Sequence, residues 1–136
     1  MKMKIPSIPI VVTIVFFGLL AKSHAVNPPP DGGYPGGNTA EGQNALFSLT
    51  TGGFNTAVGW LSLRTNGNGS YNTAIGAGAL LANTADQNTA TGTAALLFNT
   101  IGYRNTANGA FALFNNIGGD FADGSSNTAV GDSALF

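Results

Sequence analysis

Few residues in this chain have types and spacing that could do chemistry. Asp120, Asp123 and Asp132 bring three carboxylates into one Gly- and Ser-rich stretch near the C-terminus. Such oxygens suit a hard cation such as Ca²⁺, which takes carboxylate and carbonyl ligands. A Ca²⁺-binding β-roll, however, carries Asp at a fixed place in every turn. Here Asp recurs in no such way, so the expectation is solvated turn residues and no metal site. Acid–base catalysis fares no better. His24 and all three Lys (Lys2, Lys4 and Lys22) lie before residue 26, and the chain has no Cys. Beyond that point only isolated Asp and Glu could move a proton, so no enzyme and no cofactor are expected. What remains is contact chemistry. Trp60 stands where its equivalents are small or polar, and Arg64 where most of its equivalents are large and apolar. Asp120, Phe121 and Asp123 sit in a segment that has no counterpart elsewhere in the chain. These five are the candidate partner contacts.

The elements that must position them are set by repetition. The phrase Asn-Thr-Ala-x-Gly begins at Asn38, Asn55, Asn72, Asn88, Asn105 and Asn127, so that successive copies lie 17, 17, 16, 17 and 22 residues apart. The longest spacing contains the Gly118–Ser125 segment, the expected place for a loop on one face. Counting the Asn as position one, position five is Gly in every copy. Position eight is small, position nine is always Leu, and position ten is large and apolar except at Arg64. A Gly- and Asn-bearing stretch then leads to the next copy. Two short strands per copy are read from this: Thr-Ala-x at positions two to four, and small-Leu-large at positions eight to ten. Helix is excluded by Gly and Asn interruptions every few residues. The pattern predicts an all-β parallel solenoid of about 17-residue repeats. Its rungs would be spaced about 4.8 Å, making a rod on the order of 25 Å long. Residues 38–136 form the array, five repeats and a truncated sixth. Asn suits a corner and can ladder from rung to rung, Leu forms an inward column, and Gly marks a bend or close backbone approach.

Ahead of the array, residues 1–25 read as a secretory signal peptide. Lys2 and Lys4 precede an apolar run from Ile8 to Leu20, and Ser23-His24-Ala25 offers a small-residue cleavage site. The run is short of the roughly 20 residues a membrane-spanning helix needs. Residues 26–37 are a Pro- and Gly-rich linker. Without residues 1–25 the cations are Arg64 and Arg104 against six acids, a formal charge of −4. That sparse acidic surface argues against nucleic acid and anionic lipid as partners and against membrane insertion of the mature segment. An exported chain without Cys is stabilised by repetition in place of disulfides.

The phrase Asn-Thr-Ala-Val-Gly-x-x-Ala-Leu, to which Asn55–Leu63 and Asn127–Leu135 come closest, resembles the head repeats of YadA-like trimeric autotransporter adhesins and related tail-fibre-like proteins. The resemblance covers residues 38–136. It implies a left-handed parallel β-roll, three chains in one homotrimer, and attachment to a host or environmental surface from the cell exterior. Two other readings compete. One is a self-assembling extracellular fibre resembling functional amyloid. The other is ice binding by a Thr array, which ranks lower because only one Thr per rung is fixed.

Overall fold

A computed structural model describes residues 34–118 and 124–136. The proposed signal peptide and most of the linker lie outside the described residues. So do Asp120, Phe121 and Asp123.

The described chain is a parallel β-solenoid. Six three-residue strands, β1 (Thr39–Glu41), β2 (Thr56–Val58), β3 (Thr73–Ile75), β4 (Thr89–Thr91), β5 (Thr106–Asn108) and β6 (Thr128–Val130), form one sheet in sequence order. Every neighbouring pair is parallel, with Thr on Thr and Ala on Ala, from Thr39–Thr56 to Ala107–Ala129. Register holds across the 22-residue spacing, so the extra residues leave the ladder undisturbed. The stretch read as linker ends by joining the coil: Tyr34 bridges to Asn38, and the Gly36 carbonyl accepts the Phe54 amide at 2.8 Å.

Each strand is short because its two ends are fixed by conformations that leave the β region. The residue before each Asn is left-handed, with φ from 57° to 70°. The position-five Gly is bent to φ of 118–143°. Within the strand the middle Ala faces inward and its neighbours outward, as β alternation requires.

The second expected strand does not form. Positions five to twelve make two consecutive tight turns. The amide of position eight bonds the carbonyl of position five, and that of position twelve bonds position nine, as in Ala79 to Gly76 at 3.3 Å and Asn83 to Leu80 at 3.2 Å. Position seven, third in the first turn, has φ of 52–68°. A positive φ there belongs to a type II turn and explains Asn44 and Gly78 at two of these positions. The Leu at position nine is itself left-handed, with φ between 49° and 52° in all six copies. An L-residue there costs roughly 1–2 kcal/mol. Burying the side chain, complete at Leu63, Leu80 and Leu96, offsets it by about 1.5–3 kcal/mol. The left-handed turn also cancels strand alternation, so positions eight and nine both point inward and position ten points out. The Leu amide still bonds the next rung, as in Leu63 to the Ala79 carbonyl at 3.0 Å. The inward Leu column of the sequence reading is therefore present, but on turns.

The core is thin. Ala at position three, Ala or Ser at position eight and Leu at position nine form its apolar side. The other side is amide. Asn55, Asn72, Asn88 and Asn105 are buried, and so is a second column, Asn66, Asn83 and Asn99 at position twelve.

Candidate functional site

Two Asn ladders run through the interior and account for the fixed Asn of the repeat phrase. Each position-one side-chain oxygen accepts the backbone amide of the next rung's Asn, at 2.8–2.9 Å from Asn38 through Asn127. Its NH₂ donates across the coil to its own turn, as Asn88 does to the Gly102 carbonyl at 2.9 Å. The position-twelve Asn donates to that same carbonyl, Asn99 to Gly102 at 2.7 Å. It also donates to the previous rung: Asn99 to Asn83 Oδ1 at 2.9 Å and Asn116 to Asn99 Oδ1 at 2.8 Å. Among the described residues no buried side-chain polar atom is left without a partner. The Asn of the repeat phrase thus spends its polar atoms inside the coil, while its Thr lies outward with the columns left for recognition.

Three such columns differ in chemistry. The sheet face carries Thr at position two and a mixed set at position four: Glu41, half-buried, and Val58, Ile75, Thr91, Asn108 and Val130, all exposed. Trp60 stands at the end of this face. It is 56% exposed, and its carbonyl accepts the Gly78 amide at 2.7 Å. The structure therefore leaves the Trp60 ring largely in solvent.

The second column lies at the residues before Asn. Phe54 and Tyr71 stack with centroids 5.2 Å apart and planes 10° apart. Arg104 continues it, with its guanidinium 5.3 Å from the Tyr103 ring centre and its Nε donating to Gln87 Oε1 at 3.1 Å. Asp86 accepts the Ser70 amide nearby. Thr84, Asp86, Gln87, Tyr103 and Arg104 border an open notch of about 340 Å³ at the shortest repeat.

The third column is position ten: Phe47, Arg64, Leu81, Leu97, Phe114 and Phe136. Arg64 belongs here, its guanidinium 5.9 Å from the Phe47 ring centre. Further along, Phe114 stacks on Phe136 at 5.0 Å and meets the edge of Phe98 at 5.2 Å. Phe111 of position seven closes against Phe114 at 5.8 Å. Phe98 and Phe111 are exposed. Trp60 and Arg64 thus occupy separate columns rather than one site. Sequence reasoning noted position ten as apolar but placed it in a strand. The signal it passed over is that positions eight and nine are both core-like, which alternation forbids.

A second cleft, of about 340 Å³, opens at the first rung between Tyr34, Leu46, Leu49 and Gly52. Among the described residues no cluster of three or more His, Cys, Asp or Glu could hold a metal ion. No helix among them is long and apolar enough to cross a membrane. No protein-family model matches the chain, and neither a curated protein nor a solved structure similar to it was found.

Proposed function

We propose that this chain is an exported attachment module, a solenoid rod that works as a homotrimer and holds a cell to a host or environmental surface. The observation that carries the reading is the unbroken register of six rungs, which repeats every outward position at the rung spacing. A surface of that kind binds by avidity: weak contacts repeated along a rigid rod add up without a deep pocket. Among the described residues the interior polar side-chain atoms all have partners, most of them in the Asn ladders. Export rests on the signal-peptide pattern of residues 1–25. The contacts assigned to Trp60, Arg64 and the segment with Asp120, Phe121 and Asp123 belong to this reading.

Sedimentation of the purified chain together with its display on a bacterial surface tests this. A trimer, with displaying cells retained on polystyrene or glass under flow, is the expected result. A monomer whose display leaves retention unchanged overturns it. The Asn ladders favour one alternative, a self-assembling extracellular fibre, since amide ladders at rung spacing also hold amyloid together. Concentration-dependent fibrils that bind Thioflavin would select that reading.

A further inference from the structure

We infer that the notch at the shortest repeat is a saccharide subsite, which seats one neutral sugar ring against Tyr103 and bonds its hydroxyls through Asp86 and Arg104. This rests on the attachment reading above and names its ligand class. The notch is made by one missing residue. The position-twelve Asn reaches the carbonyl three residues on in the second and fourth repeats, Asn66 to Gly69 and Asn99 to Gly102. In the third, Asn83 reaches a carbonyl only two residues on, at Ala85. The turn therefore lacks a residue between Thr84 and Ala85, where the neighbouring rungs carry Asn68 and Ile101, both exposed. A notch of about 340 Å³ opens at that shortening, between rungs three and four. Its volume lies at the low end of small-ligand sites, which run from about 300 to 1,000 Å³.

The polar groups of the notch are held in place and keep bonding capacity. The residue two before each Asn gives its side chain to an amide of the preceding rung. Ser70 Oγ accepts the Gly53 amide at 3.0 Å, Asp86 Oδ1 the Ser70 amide at 2.8 Å, and Ser125 Oγ the Tyr103 amide at 2.9 Å. Tyr103 breaks this series, because its hydroxyl lies at the far end of a ring. Among the described residues the Asp86 amide therefore has no acceptor, and Asp86 Oδ2 has no donor. Arg104 commits its Nε to Gln87 at 3.1 Å, and its two terminal nitrogens bond no described residue.

These groups select a hydroxylated ring. A hydroxyl both donates and accepts. The notch offers it donors in the Asp86 amide and the Arg104 guanidinium, and an acceptor in the Asp86 carboxylate. Tyr103 is 40% exposed and supplies the apolar surface against which the C–H side of a sugar packs. An anion would meet the Asp86 carboxylate as well as Arg104. An apolar ligand would strip water from both charges and give them no hydrogen bonds. One shallow subsite binds weakly, and one in each chain of a homotrimer multiplies it by avidity.

The test uses the full chain and saturation-transfer NMR with galactose, glucose, mannose and N-acetylglucosamine, and with galacturonate as the charged control. A neutral sugar should bind, and bind better than galacturonate. In the isotope-labelled wild-type chain that sugar should shift the Asp86 amide resonance. Tyr103→Ala is expected to weaken binding about tenfold. Inserting Asn between Thr84 and Ala85 gives the third repeat the turn length of the second. It should abolish binding with circular dichroism unchanged. Binding that leaves the Asp86 amide unmoved, or a preference for galacturonate over every neutral sugar, overturns the inference whether or not the variants fold. If displaying cells are retained on glass and no neutral sugar binds, the notch is wrong while the attachment reading stands. If a sugar binds at the notch and the cells are not retained, the subsite stands and the attachment reading falls.

Discussion

The position-five Gly shows how a single residue is fixed by its neighbour in the next rung. A Cβ on Gly59 would lie 2.6 Å from the Gly76 carbonyl oxygen, and the backbone there is at φ 129°. On Gly131 the φ is nearly the same, 126°, but the nearest atom to a Cβ is 3.9 Å away. Gly131→Ala is expected to carry only conformational strain, about 1–3 kcal/mol. Gly59→Ala adds an overpacking clash against backbone and should lose about 3 kcal/mol or more. Urea unfolding of the two variants isolates the stacking contribution as their difference. The buried Asn make a second case. Asn88→Ala strands the Asn105 amide, at about 1–3 kcal/mol, and takes one of two donors from Asn83 Oδ1 and from the Gly102 carbonyl, both of which keep Asn99. Asn88→Asp keeps the acceptor but turns both donors into an oxygen facing oxygens. Burial and those carbonyls raise the folded pKa of the new carboxyl above its unfolded value near 3.9. The variant should therefore be most stable below pH ~4 and lose stability as pH rises from there to its folded pKa. Urea midpoints across pH 3–8 read the sign directly, and a variant insensitive to pH would show that position 88 is open to water.

At the scale of the element, the strand of Thr-Ala-x was legible because β-branched residues, alternation and a following Gly all agree there. The turns were not, because Leu is a poor predictor of a left-handed backbone. Its conformation is imposed by the rung bond of its amide and the burial of its side chain, neither of which one copy can reveal. The second Asn column was hidden too, since Leu49 replaces it in the first rung. The outward face was legible only as composition: position ten read as apolar, but which way it pointed depended on the turn. The same left-handed backbone gives a simple test. Gln87 holds φ 61° on the exposed surface, where the first rung has Gly37. Gln87→Gly removes strain of roughly 1–2 kcal/mol and gives back part of it through a freer unfolded chain. A net gain of up to about 1 kcal/mol in thermal or urea unfolding is expected. A loss larger than that would mean that the Arg104–Gln87 bond matters more than its exposure suggests.

For the whole molecule, stability is a sum over rungs and the contacts between consecutive rungs. Each strand pairs only with the strands before and after it in sequence. A unit of such an array can be removed if the cut preserves register. Deleting residues 72–87 removes one complete repeat and joins Tyr71 to Asn88, so every column continues through the junction. The shortened chain should fold, with a rod shorter by about 4.8 Å and an unfolding m-value reduced with the surface it no longer buries. Deleting residues 72–79 removes half a repeat. It puts Leu80 where Asn72 stood, turning an apolar side chain toward the amide side of the core and leaving Asn55 Oδ1 to face the wrong backbone. That chain should lose its cooperative transition. Circular dichroism and small-angle scattering of the pair distinguish the two outcomes. Equal disruption would show that the third rung is individually required, and the additive rung picture, together with an avidity built on equivalent rungs, would fail with it.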